Sequence, residues 1–125
     1  MNAKENTVLI VDDEASNLRI LTHILNQEYT IFTANDGPTA IEMAEEFQPD
    51  VILLDIVMPE MDGYEVISAL KASDKTRNIP VIIVSGLNTG ADKTKEAADY
   101  ISKPFSAETV KSKIRNQIQS IQKLK

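Results

Sequence analysis

The chain has 125 residues, 42% of them hydrophobic and 26% charged, with no cysteine and a net charge of -6 at pH 7. Such a length suits one domain that buries its own core; the composition excludes the disordered and fibrous classes, and disulfides and thiolate metal sites are excluded outright. Thirteen acids against two bases in residues 1–62, and one acid against six bases in residues 103–125, make direct nucleic-acid binding unexpected and favour a bound cation or a basic partner surface.

The opening MNAKENTVLIVDDE lacks the long apolar core of an export signal, and the longest apolar stretch, Val51 to Met58, is broken by Asp55 and too short to cross a bilayer. A cytoplasmic location without membrane contact is expected. The first strand is read at Thr7 to Val11, followed by a helix with Leu18, Leu21 and Leu25 on one face. A second strand, Tyr29 to Thr33, leads to a helix that turns Ala40, Ile41, Ala44 and Phe47 inward. After a third strand, Asp50 to Leu54, Asp62 and Glu65 form a capping box, with Met61 and Val66 at the staple positions. A fourth strand spans Val81 to Val84 and a fifth Asp99 to Ile101. The last helix starts at the N-cap Ser106, is stapled by Phe105 and Val110, and repeats Val110, Ile114, Ile118 and Ile121. Its Lys111, Lys113, Arg115, Lys123 and Lys125 read as a solvated face that complements the helix dipole.

This alternation leaves no repeat or linker, so residues 1–125 are read as a single α/β domain, a (βα)5 doubly wound parallel sheet. The first, third and fourth strands are apolar on both faces and belong in the centre; the second and fifth belong at the edges. Ligands of such sheets sit beyond the carboxyl ends of the strands, where the strand order reverses.

That rule brings Asp12 and Asp13, after the first strand, together with Asp55, after the third. Clustered carboxylates stay ionised only around a cation, and hard oxygen ligands suit Mg2+. Singly, Asp13 could cap a helix and Asp55 could end a strand in solvent; convergence from separate strand ends is what favours a site. Ser85 and Lys103 close the other strand ends and add a hydroxyl and a fixed positive charge, so the set supplies the metal, the positioning and the donors that phosphoryl transfer needs. Gly86 leaves room for a phosphate near the backbone, and Lys103-Pro104-Phe105 marks a constrained corner that a cis bond would suit.

Together VLIVDDE, DVILLDIVMPEMDGYEVI, IPVIIVSG and DYISKPF resemble, in order and across nearly the whole chain, the receiver domains of two-component response regulators. The resemblance implies a flavodoxin-like sheet of order 2-1-3-4-5 and a regulatory phosphoacceptor, not a turnover enzyme, that assists its own phosphorylation and dephosphorylation. It implies that Asp12, Asp13 and Asp55 hold Mg2+ with the backbone carbonyl of Val57, and that Asp55 is phosphorylated by a sensor histidine kinase or phosphotransfer protein. It further implies that Ser85 and Lys103 hold the phosphoryl group and that Tyr100 is the aromatic switch of the output face. Val57 and Leu87, two residues beyond Asp55 and Ser85, match positions flanking the path of the hydrolytic water; both are apolar, so a long-lived phosphoryl state is expected.

The chain departs from the family between Ser85 and Lys103, where it is about four residues short, close to one helical turn. A shortened fourth helix is therefore expected over LNTGADKTKEAA, and Glu96 stands where the family usually has glycine. The last helix reaches KLK without a stop signal, so a downstream effector domain is an expectation. Among alternatives, a haloacid-dehalogenase-like phosphatase would need an Asp-x-Asp motif where this chain has VDDE. A flavodoxin would need a hydroxyl- and glycine-rich phosphate loop where it has the anionic DDEASN. A degenerate docking receiver would lack one of the acids or the lysine.

Overall fold

Among the described residues nine elements follow one another: β1 (Thr7–Val11), α1 (Ala15–Leu25), β2 (Thr30–Ala34), α2 (Gly37–Phe47), β3 (Val51–Asp55), α3 (Gly63–Ala72), β4 (Val81–Ser85), β5 (Asp99–Ser102) and α4 (Ala107–Lys123). They come from a computed structural model that describes residues 6–86 and 96–123, with side chains to Ile121. All strand pairs are parallel and the sheet order is β2-β1-β3-β4-β5, so β2 and β5 are the edges as expected.

The apolar runs of the central strands divide by alternation into two cores, because successive side chains leave a strand on opposite faces. Val8, Ile10, Leu53, Ile82 and Val84 pack with Leu21 and Leu25 of α1 and Val110, Ile114 and Ile118 of α4. Leu9, Val11, Ile52, Leu54 and Val81 pack with Ala40 and Ala44 of α2 and Val66, Ile67 and Leu70 of α3. Each such leucine, isoleucine or valine stabilises the fold by about 1.5–3 kcal/mol relative to exposure. A sheet covered on both sides keeps its strand ends in fixed relation, which is what a site built from four strand ends requires.

The caps set where the helices begin. Asp36 accepts from the Thr39 amide at 2.8 Å ahead of α2. Asp62 and Glu65 form the expected capping box at 2.9 and 3.2 Å, and Ser106 Oγ accepts from the Thr109 amide at 3.1 Å. Residue Glu14 holds the N-cap position of α1 without a side-chain bond, so Asp13 is not spent on capping.

Three expectations shift. Strands two to five end one residue later than expected: the ladder continues through Ala34, paired with Val11, and through polar residues, Asp55 in register with Val84 and Ser85 with Ser102. Phe47, expected inward, is 43% exposed and stacks on Phe32 at 4.5 Å, since it lies in the last turn of α2 over an edge strand. The segment expected to form the shortened fourth helix lies, from Leu87 to Lys95, outside the described residues.

Candidate functional site

Asp12 follows β1, Asp55 ends β3, Ser85 ends β4 and Lys103 follows β5, so the carboxyl ends of four parallel strands bring these side chains to one crevice. Asp12 and Asp55 are buried and Asp13 is exposed, and one carboxylate oxygen from each lies within 4.8 Å of the other two. Lys103 Nζ donates to Asp55 Oδ1 at 3.3 Å and lies 3.7 Å from Asp12 Oδ2. The Lys103 amide donates to the Ser85 carbonyl at 2.9 Å, and the Lys103–Pro104 bond is cis, which suits the corner read from the sequence.

Burial pushes the Asp55 carboxyl above its ordinary range, and the neighbouring Asp12 charge pushes it the same way. Lys103, by charge and hydrogen bond, and a hydrogen bond from the Val57 backbone oppose that rise without cancelling it. Among the described residues the crevice therefore holds more negative charge than Lys103 balances, and this excess fits a divalent cation among oxygen ligands. The coordinating capacity is that of a hard-metal site.

Two supports were not foreseen. Asn17 Nδ2 donates to Asp12 Oδ2 at 3.1 Å and the Glu14 amide to Oδ1 at 2.9 Å, which orients the Asp12 carboxylate from the first turn of α1. The only hint in the sequence is an amide five residues after the aspartate. Gly63 opens α3 so close to β3 that an added Cβ would lie 2.7 Å from the Asp55 carbonyl oxygen and 2.7 Å from Ile56 Cα. Its amide donates to the Ile56 carbonyl at 2.8 Å, clamping the connection that carries Val57. Within that connection Glu60 has φ 69°, and the Met61 amide donates to the Pro59 carbonyl at 2.8 Å, a three-residue turn of the rare left-handed kind. Among the described residues, a Cβ at Gly86 would meet Lys103 Cβ at 3.6 Å, an ordinary contact.

Val57 projects its side chain outward, 59% exposed. Tyr100 is half-buried on β5 in register with Ile83, and its amide donates to Asp99 Oδ1, which also accepts from Lys113 Nζ at 2.9 Å. Leu87 lies outside the described residues. No helix among the described residues is long and apolar enough to cross a membrane.

A doubly wound sheet of this order, with an acidic pocket and a lysine at its switch point, has the parts of a cation-assisted phosphoryl site. The family model described as the response regulator receiver domain matches residues 8–115, and the chain belongs to that family. It is 40% identical over 118 residues to a probable cyclic di-GMP phosphodiesterase of Vibrio cholerae, covering 91% of this chain and 27% of that protein. It is 40% identical over 114 residues to the response regulator PleD of Caulobacter vibrioides, covering 87% of this chain and 25% of PleD. The chain thus spans about a quarter of these relatives' length. Among solved structures, the chemotaxis protein CheY4 of Vibrio cholerae superposes with a TM-score of 0.83 at 29% identity, covering 89% of this chain and 97% of that one. The chain is accordingly a regulatory receiver domain.

Proposed function

We propose that Asp55 is the phosphoacceptor, receiving its phosphoryl group from the phosphohistidine of a sensor histidine kinase or phosphotransfer protein. The observation that carries this reading is the buried Asp55 carboxylate, beside Asp12 and Asp13 and 3.3 Å from Lys103 Nζ. A carboxylate oxygen of Asp55 attacks phosphorus, the P–N bond to the donor imidazole breaks, and that imidazole leaves with its electron pair and takes up a proton. Asp12, Asp13, Asp55 and the Val57 carbonyl would hold Mg2+, which when bound neutralises charge on the transferring group. Lys103 then pairs with a phosphoryl oxygen in place of Asp55, and Ser85 donates to another from the adjoining strand end.

The chain thereby assists both its own phosphorylation and the later hydrolysis, and needs no turnover of a small-molecule substrate. Tyr100 is the reporter: on β5, beside the strand that ends in Ser85, it carries the altered position of that hydroxyl to the α4–β5 face. The Asp99–Lys113 pair ties α4 to the same strand. A donor must bring its imidazole to Asp55, so it covers the rim formed by the half-exposed Ile20 with Asn17, Pro104 and Phe105. A downstream effector domain or protein reads the switch, with the chain working in the cytoplasm as one domain.

Incubation with acetyl phosphate and Mg2+, read by intact mass, tests the proposal. Wild type is expected to gain one phosphoryl group and Asp55→Asn none; equal labelling of both would remove Asp55 from the role.

A further inference from the structure

The strand β2 is an edge of the sheet whose own sequence carries none of the usual protections. Proteins commonly blunt an edge strand with charge, proline or a bulge, because its unpaired main-chain groups are a template for another strand. The β2 sequence TIFTA has neither charge nor proline. The opposite edge differs: β5 begins at Asp99, paired with Lys113 at 2.9 Å, and runs into Lys103–Pro104.

The ladder fixes which groups are available. The Thr30 amide donates to Asn6 O at 3.0 Å and Ala34 O accepts from Asp12 N at 3.1 Å, so Thr30, Phe32 and Ala34 direct their main-chain groups toward β1. The alternate residues Ile31 and Thr33 direct theirs outward. Among the described residues no strand lies beyond β2.

Apolar surface is unfinished on both faces beside this edge. On one, partly buried Leu18 and Ile31 floor a groove between α1 and β2. On the other, the Phe32–Phe47 stack leaves Phe47 43% exposed. An added strand would place alternate side chains over these two patches while pairing with Ile31 and Thr33.

We propose that the free edge of β2 docks an extended segment of a partner protein, rich in β-branched residues and bearing lysine or arginine, which adds to the sheet as a sixth strand. Charge selects this occupant. Glu42, Glu45 and Glu46 lie exposed on α2, the helix that carries Phe47. The groove on the α1 side is lined by Arg19 and His23 and by no acid, so the partner's basic residues would meet the α2 side of the edge. A second copy would set the same acidic half against itself. The proposal does not depend on the role of Asp55.

A labelled peptide alternating lysine with valine and threonine is titrated into the whole chain, read by anisotropy and by amide and aromatic NMR shifts. The expected result is saturable binding that shifts the Ile31 and Thr33 amides and the Phe47 ring. Thr33→Pro, which removes an outward N–H, and Phe47→Ser should each weaken binding by about tenfold or more while phosphorylation by acetyl phosphate is unchanged. The Phe47 variant alters a different element and keeps the test open should Thr33→Pro fail to fold. Replacing the peptide's lysines by glutamates should weaken binding by a similar factor. No binding at millimolar peptide, or shifts confined to other elements, would overturn the proposal. Concentration-dependent dimerisation that shifts the same amides without peptide would overturn it in favour of a second copy.

Discussion

Lys103 Nζ bonds to Asp55 Oδ1 at 3.3 Å while lying 3.7 Å from Asp12 Oδ2, so one cation serves two buried carboxylates. Removing it leaves both anions under-compensated. Lys103→Ala is therefore expected to lower stability at pH 7 without divalent cation by about 1–3 kcal/mol, with much of the loss restored by Mg2+. Chemical denaturation with and without Mg2+ measures this. Some phosphorylation should persist, since the lysine is not the nucleophile, but the beryllofluoride-induced shifts around Tyr100 should shrink. A full wild-type response would separate Lys103 from the coupling.

The raised pKa of Asp55, caused first by burial and then by Asp12, gives stability a defined pH dependence in chelator. The folded state binds the Asp55 proton more tightly than the unfolded chain. Its contribution is present below the unfolded pKa and is lost as pH rises through the folded value. Wild type in chelator should therefore gain stability as pH falls from neutral into that window. Asp55→Asn should be more stable than wild type at pH 7, with the gap closing as pH falls. Tm measured across pH for both proteins checks the sign, and a gap that widens toward acid would contradict it.

At Gly63 the obstacle is backbone, since a Cβ would meet the Asp55 carbonyl oxygen and Ile56 Cα at 2.7 Å each. Gly63→Ala must displace α3 or the end of β3, at a cost of about 1–3 kcal/mol. Urea denaturation measures the loss. The rate of Asp55 labelling should fall with it, because the displaced strand end carries the acceptor.

Glu60 offers the opposite case. A non-glycine residue at φ 69° costs of order 1 kcal/mol or more, so Glu60→Gly should stabilise the fold or at worst leave it unchanged despite glycine's unfolded-state entropy. A loss above about 1 kcal/mol in the same denaturation assay would show that the glutamate side chain contributes more than its backbone costs.

Val57, with its side chain 59% exposed beside the acceptor, offers a hydrolytic water no hydrogen bond. Val57→Asn is expected to shorten the phosphoryl lifetime severalfold by orienting that water. Decay of the phosphorylated mass after donor removal provides the comparison, and equal lifetimes would make Val57 an ordinary rim residue.

The sheet and its cores were legible because fully buried parallel strands leave runs such as VILLD that few other environments tolerate. The capping box at Asp62 and Glu65 and the Ser106 cap could be read because they use fixed spacings. Strand ends were misjudged by one residue because polar Asp55 and Ser85 join the ladder through their backbones, which side-chain polarity does not report. Phe47 misled because helical periodicity gives the face but not whether a neighbour covers its last turn. Asn17 and Gly63 escaped notice because their importance lies in contacts across elements: one reaches back to Asp12 and the other admits the Asp55 backbone.

The central claim, a phosphoryl group carried by Asp55 in an acidic divalent-cation site, is tested most directly by locating the acyl phosphate chemically. The protein is treated with acetyl phosphate in Mg2+ or in chelator and reduced with borohydride, which converts an aspartyl phosphate to homoserine. The peptides containing Thr7 to Glu14 and Val51 to Met61 are then sequenced by mass spectrometry. Homoserine at Asp55 in Mg2+, absent in chelator, is the expected result; homoserine at Asp12 or Asp13, or equal conversion without the metal, would contradict the account.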